Sequence, residues 1–121
     1  MRSYQNLDAW KASMLLVKEV YYITNAFPKE ETYGLTSQVK RAVVSIPANI
    51  AEGVGRNHKK DTIQFLHIAR GSVYELETLL KIAVMVEIID ESMFEKLRSK
   101  LDDVFRLLNG LINYMERTAT S

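Results

Sequence analysis

Apolar residues recur three and four positions apart along four stretches of this 121-residue chain, the spacing that gathers side chains on one stripe of an α-helix. Leu7, Trp10, Met14, Val17 and Tyr21 form the first stripe, and Leu35, Val39, Val43, Ile46 and Ile50 the second. Leu66, Ala69, Val73, Leu76, Leu80 and Ala83 make the third; Leu97, Leu101, Val104, Leu108, Leu111 and Met115 make the fourth. No stretch alternates with the period of two that a half-buried strand needs. The pattern predicts helices over about 7–27, 32–53, 60–86 and 92–117.

Local signals punctuate these segments. Asn6 is a predicted N-cap for the first helix, and Pro28 disfavours helical geometry in the residue before it, so that helix should end near Phe27. The second should close around Gly53 to Gly55, and the fourth should open on a capping box from Ser92 to Glu95. Four amphipathic helices with short links predict one all-α domain. The most economical packing is an antiparallel up-down-up-down four-helix bundle with crossings of ~20°. No second domain, internal repeat or low-complexity tract is visible, and only the first five residues and the tail past Arg117 are expected to be loose.

Two helices carry more apolar surface than a stripe of ~100° requires. On the first, Leu16, Val20, Ile23 and Phe27 form a second stripe; on the fourth, Phe105 and Ile112 flank one side and Leu107 and Tyr114 the other. On the second, Val44, Ala48 and Ala51 make a small-residue face away from the core stripe. Scattered apolar residues are ordinary on any surface, but surplus stripes of this kind also suit a subunit interface. Val44, Ala48, Ala51, Leu16, Val20 and Ile23 are the candidate interface residues.

Polar residues share the helix periodicity. Arg41, Ser45, Asn49 and Glu52 form a ladder beside the core stripe of the second helix, and Arg70, Tyr74, Glu77 and Lys81 do so on the third. If the ladders face each other or a neighbouring subunit, Arg41 and Arg70 can pair with Glu52 and Glu77, a structural network rather than a catalytic one. Pro47 lies inside the second helix and deprives the Val43 carbonyl of its usual donor, so a kink is expected. Gly71 and Ser72 offer a complementary recess on the third helix, since a mid-helix glycine is most easily explained by close packing.

Composition narrows the chemistry. Hydrophobic residues make up 47% and charged residues 26%, the balance of a folded globular protein rather than a disordered one. The chain contains no cysteine, which removes disulfides, thiolate nucleophiles and cysteine-type zinc sites and fits a reducing, cytoplasmic setting. The opening MRSYQNLDAW lacks the apolar run and small-residue cleavage site of a secretory signal, and no stretch approaches the ~20 apolar residues of a membrane span, so a cytoplasmic protein is expected. A bundle-borne carboxylate-bridged metal site needs two Glu-x-x-His pairs, and His67 follows Gln64 instead while His58 lies in a link. The GVGR run at 53–56 lacks the GK[ST] and preceding strand of a phosphate loop, so it reads as a helix end. No nucleophile elbow or Ser/His/Asp order is recognisable. A non-enzymatic protein without metal or cofactor is expected.

Charge adds one candidate site. The net charge is only +1, too little for a strong pull on nucleic acid by the molecule as a whole. Its distribution is polarised: six basic residues against two acidic ones between Thr36 and Arg70, and six acidic against three basic between Glu87 and Asp103. The link Arg56, Asn57, His58, Lys59 and Lys60, flanked in sequence by Lys40 and Arg41, is the candidate nucleic-acid-binding patch, since clustered cations attract phosphates and release counterions. A solvated loop explains one such patch equally well. A ring repeating it would bind a polyanion through many weak contacts at once.

QVKRAVVSIPANIAEGVGR followed by FLHIARGSVYELET, together with the upstream LDAWKASMLLVKEVYYITNAFPKEETYGL, resembles the bacterial four-helix bundle family of proteins encoded in intervening sequences of 23S ribosomal RNA genes. The likeness runs by motif from Leu7 to Val86 and by pattern through the last helix. It implies a left-handed antiparallel bundle assembling into a homopentameric barrel. It also implies kinship with the accessory variability protein of diversity-generating retroelements, a basic pentamer that engages nucleic acid and a reverse transcriptase. Arg41, Asn49, Glu52, Arg56, Arg70 and Glu75 coincide with the family's characteristic polar positions; the near-neutral charge departs from the retroelement relative. Two functions follow: an oligomeric scaffold binding RNA or DNA through the basic patch, or a protein-interaction adaptor with no nucleic-acid role.

Overall fold

Each of the four predicted helices forms, and the differences lie at their ends and in the register of the first. A computed structural model of the protein describes residues 3–118. Helix α1 spans Asp8–Thr24, α2 Leu35–Val54, α3 Lys59–Met85 and α4 Glu91–Thr118. Short 3-10 turns at Ser3–Asn6 and Lys29–Glu31 precede α1 and α2. The described residues contain no strand. The helices close a ring in which α1 packs on α2, α2 on α3, α3 on α4 and α4 on α1. Where single contacts mark the register, later residues of one helix meet earlier residues of the next: Gly53 meets Thr62 while Ser45 meets Ser72, and Arg70 meets Asn109 while Tyr74 meets Phe105.

The core seam of α1 is not the stripe read first from the sequence. Leu16 and Val20 are 0% exposed and Ile23 9%, so these three, with Phe27, lie in the protein's own interior and are not free to join a subunit interface. Met14 and Tyr21 are 43% and 41% exposed, while Leu7, Trp10 and Val17 are half-buried against the core. The buried seam begins with Ala9 and Ser13, small residues that a count of large apolar side chains passes over. Their size lets neighbouring helices approach, and the Ser13 hydroxyl donates to the Trp10 carbonyl at 2.8 Å, which removes the cost of burying an unpaired polar group. Ile112, read as a flank of α4, is likewise core at 1% exposure. The stripes of α2 and α3 are buried as expected, apart from a half-buried Leu35.

Several ends are set by chemistry the spacing does not show. Leu7, not Asn6, occupies the N-cap of α1, and Asn6 closes the preceding turn, which packs Tyr4 edge-on to Trp10 at 5.4 Å. Residues 3–5, expected to be loose, are therefore structured; residues 1–2 and 119–121 lie outside the described ones. The capping box at Ser92 and Glu95 does not form. Asp90 caps α4 instead, its carboxylate accepting the Met93 amide at 2.8 Å. Helix α2 begins later than expected because residues 29–34 make two tight turns, and Glu31 accepts the Leu35 amide at 3.2 Å, placing a negative charge at the positive helix end. At the far end of α3, Glu87 takes φ 67°. The Ile88 amide reaches the Ala83 carbonyl and the Glu87 amide reaches Val84, the doubled bond pattern that ends a helix in a left-handed residue.

Pro47 is buried and α2 runs uninterrupted across it. The close-packing glycine is Gly53, not Gly71. A Cβ at Gly53 would sit 2.7 Å from the Phe65 Cβ and 3.1 Å from the Thr62 carbonyl, whereas one at Gly71 would meet nothing within 4 Å. Gly53→Ala should therefore lower stability by about 1–2 kcal/mol through overpacking, while Gly71→Ala should raise it by up to ~1 kcal/mol through helix propensity. Urea midpoints of the two variants, shifting in opposite directions, check both statements.

Candidate nucleic-acid interface

The α2–α3 junction is a rigid hairpin rather than a pliable link. Gly53 brings α2 against Phe65, and the buried Thr62 hydroxyl donates to the Gly53 carbonyl at 2.7 Å. The Gly55 amide donates to Ala51 and the Arg56 amide to Gly53, both at 3.1 Å. The His58 carbonyl then accepts the amides of Asp61 and Thr62 at 3.1 Å and opens α3. The glycine-rich run is thus a helix end, as its sequence context predicts, and Arg56, Asn57, His58, Lys59 and Lys60 all project into solvent from it.

Their electrostatics are modest. The Arg56 guanidinium lies over the Phe65 ring at 4.7 Å and 3.7 Å from the Glu52 carboxylate. Lys59 donates to the Thr118 carbonyl at 2.9 Å, tying the start of α3 to the last turn of α4, where partial negative charge accumulates. Between residues 52 and 61 three cations face two carboxylates, Glu52 and Asp61. The local excess of one positive charge supplies only a weak attraction for phosphate.

The sequence-predicted patch does not come together in one place. Lys40 and Arg41 precede Arg56 by about four turns of α2, ~22 Å at ~1.5 Å per residue. The Lys40 ammonium sits over the Tyr21 ring at 4.8 Å, on the α1 side. Arg41 donates to Ser37 at 3.4 Å and lines a separate cleft of about 380 Å³. The basic residues do not share one site, because about four turns of helix separate Arg41 from Arg56 and Lys40 and Arg41 lie on different flanks of α2.

The polar ladders also resolve into two clusters. Between α2 and α3, the Ser45 and Ser72 hydroxyls bond at 2.9 Å, and the Asn49 amide donates to the Ser45 carbonyl and hydroxyl at 2.8 and 2.9 Å. Arg41 and Glu52 take no part, and Glu52 pairs with Arg56. Arg70 faces α4 instead of α2, donating to Asn109 Oδ1 and to His67 Nδ1, both at 2.8 Å. Because arginine only donates, His67 Nδ1 accepts and the ring proton lies on Nε2, which faces Glu116 at 3.5 Å. Glu77 makes no ion pair with Arg70 or Arg41. Sequence reasoning missed Ser72, His67, Asn109 and Glu116 as partners; the three-residue spacing of His67 and Arg70 was a local signal, but Asn109 and Glu116 come from another helix.

Of the expected interface residues outside the core, Val44 is 41% exposed, Ala48 is exposed and Ala51 half-buried. The described residues contain no group of three metal-ligating side chains and no helix long and apolar enough to cross a membrane.

Four amphipathic helices, packed in a ring around an apolar interior with their charges spread over the outer faces, define an all-α four-helix protein with a small basic hairpin. The chain belongs to the 23S rRNA-intervening sequence protein family, whose model matches residues 5–110. That match extends well into α4, beyond the Val86 limit of the motif likeness. Among solved structures, the chain is similar to a protein of unknown function from the S23 ribosomal protein family of Bacteroides thetaiotaomicron. The TM-score is 0.78 at 24% identity, over 87% of this chain and 95% of that one, a likeness of fold. No curated protein matches the chain.

The Ser45–Ser72 bond is the polar hinge of the α2–α3 contact. Ser45→Ala and Ser72→Ala should each cost about 0.5–1.5 kcal/mol by losing this bond, since the Ser72 hydroxyl keeps the Ile68 carbonyl and the Ser45 hydroxyl keeps Asn49, and the double variant should cost less than their sum by about 0.5–1 kcal/mol. A double-mutant cycle in urea measures the coupling.

Proposed function

We propose that the protein is a non-enzymatic, cytoplasmic, oligomeric scaffold that binds RNA or DNA through the α2–α3 junction. In this reading each chain is an antiparallel up-down-up-down bundle, and several copies, most economically five, form a barrel. The observation that carries it is the pinned hairpin: the Thr62–Gly53 bond and the close approach at Gly53 fix the turn from which the exposed Arg56, Lys59 and Lys60 extend. Pre-set cations lose little freedom on meeting phosphate, and a ring multiplies one weak contact into several. The opposed order of the α2–α3 and α3–α4 contacts supports the antiparallel arrangement. The exposed Val44 and Ala48 face supports assembly, since small side chains let a second backbone approach closely. Its second reading is a protein-interaction adaptor, favoured by the exposed Met14, Leu15, Tyr21 and Tyr22 on α1.

Assembly is tested by solution mass. The wild-type protein should run as an oligomer, and Val44→Glu with Ala48→Glu should yield a monomer with unchanged helical circular dichroism; a wild-type monomer at high concentration removes the multivalent scaffold. Binding is tested by titrating fluorescent RNA and DNA. Affinity should fall steeply between about 50 and 200 mM salt, and replacing Arg56, Lys59 and Lys60 together by Ala should weaken binding and flatten the salt slope. Equal binding by wild type and triple variant would transfer the role to another surface. No binding at low salt, with an apolar α1 variant losing a protein partner, favours the adaptor.

A further inference from the structure

The cleft that holds Arg41 has a chemistry the junction lacks. It occupies about 380 Å³ between the N-terminal half of α2 and the middle of α3, and Tyr33, Ser37, Gln38, Arg41, Ser45 and Glu75 supply its polar and aromatic lining. That volume lies at the small end of the ~300–1,000 Å³ range of ligand pockets. Arg41 and Glu75 share the cleft yet form no ion pair with each other or with any described residue. Arg41 is held only by the 3.4 Å contact to Ser37. Tyr33 is 97% exposed at the rim and makes no ring contact with another described aromatic. The floor is stiff, because Ser45 is fastened to Ser72 and Asn49.

An unpaired cation and an unpaired carboxylate in one small cleft disfavour a simple anion, which Glu75 repels, and a simple cation, which Arg41 repels. They suit a ligand with an anion at one end and N–H donors at the other, and an exposed phenol ring suits one with a flat face. We infer that this cleft binds a single unpaired purine nucleotide, guanine by preference. In that pose its phosphate meets Arg41 and Ser37, its ring stacks on Tyr33, and its N1–H and N2–H donate together to the Glu75 carboxylate. Single-stranded recognition commonly combines these elements: stacking on aromatics, hydrogen bonds to an exposed base edge and a cation on the phosphate. Uracil fits poorly, since its lone N3–H is flanked by two carbonyls that face the carboxylate unfavourably. The site lies ~22 Å along α2 from the junction and stands whether or not the junction binds a nucleic-acid backbone.

The test is calorimetric titration of the full chain with guanosine, cytidine and uridine 5′-monophosphates and with inorganic phosphate, the unphosphorylated nucleoside guanosine serving as the reference for Arg41→Ala. Guanosine monophosphate should bind once per chain and more tightly than the other three. Tyr33→Ala should weaken it about tenfold or more, and Arg41→Ala should remove the advantage of the nucleotide over the nucleoside. Glu75→Gln should abolish the preference for guanine over uracil. All three positions are solvent-facing, so circular dichroism should be unchanged. The variant with Arg56, Lys59 and Lys60 replaced by Ala should bind the mononucleotide like wild type, which separates this site from the junction. No heat with any nucleotide at millimolar concentration, equal affinity for inorganic phosphate and guanosine monophosphate, or a guanine preference that survives Glu75→Gln would each overturn the assignment.

Discussion

The close packing of α2 on α3 is the constraint on which the rest of the structure depends. It is made by small residues beside the junction and midway along the contact. Gly53 lets the backbone of α2 settle on Phe65, Thr62 bonds across to it, and farther along Ser45 and Ser72 meet hydroxyl to hydroxyl. Larger side chains at these points would separate the helices, and packed interiors tolerate little added volume. With the pair held this close, the turn between them is pinned and the cleft on their outer side acquires a firm floor. Both candidate sites are therefore consequences of one helix–helix contact.

Charge placement follows from the same geometry. A helix is a rod with ~1.5 Å of rise per residue, so basic residues that look like neighbours in sequence separate once α2 is formed. Arg56, Lys59 and Lys60 stay at the junction, while Lys40 covers Tyr21 on one flank and Arg41 enters the cleft on the other. Neither site is strongly electropositive. Glu52 and Asp61 at the junction, and Glu75 in the cleft, limit bulk electrostatic attraction at both places.

The α3–α4 face is structural by comparison. Arg70 is the common donor to Asn109 and His67, and His67 turns its other nitrogen toward Glu116. Side chains locked into partners on two helices orient the bundle and leave little capacity for a ligand. The contrast with the cleft, where Arg41 and Glu75 have no charged partners, is what distinguishes a polar cluster that holds the fold from one open to binding.

The core stripe of helix α3 was legible because Leu66, Ala69, Val73, Leu76, Leu80 and Ala83 keep one unbroken three-four rhythm, although Leu79 is also buried and Ile68, Ile82 and Met85 are apolar yet exposed. Helix α1 was not, since it carries two apolar stripes and the choice between them rests on Ala9 and Ser13, whose importance is that they are small. The Asp90 cap over the Ser92–Glu95 box, and Gly53 over Gly71 as the close contact, were decided the same way, by what lies opposite. By itself the sequence determined the four α-helices, the class of fold and the family, because hydrophobic period and local motifs are properties of a single helix or turn. Tertiary structure alone decided which stripe of α1 is interior, which polar residues become partners and what Lys40 and Arg41 face on the two flanks of α2, because each depends on side chains far away in the chain that only packing brings near.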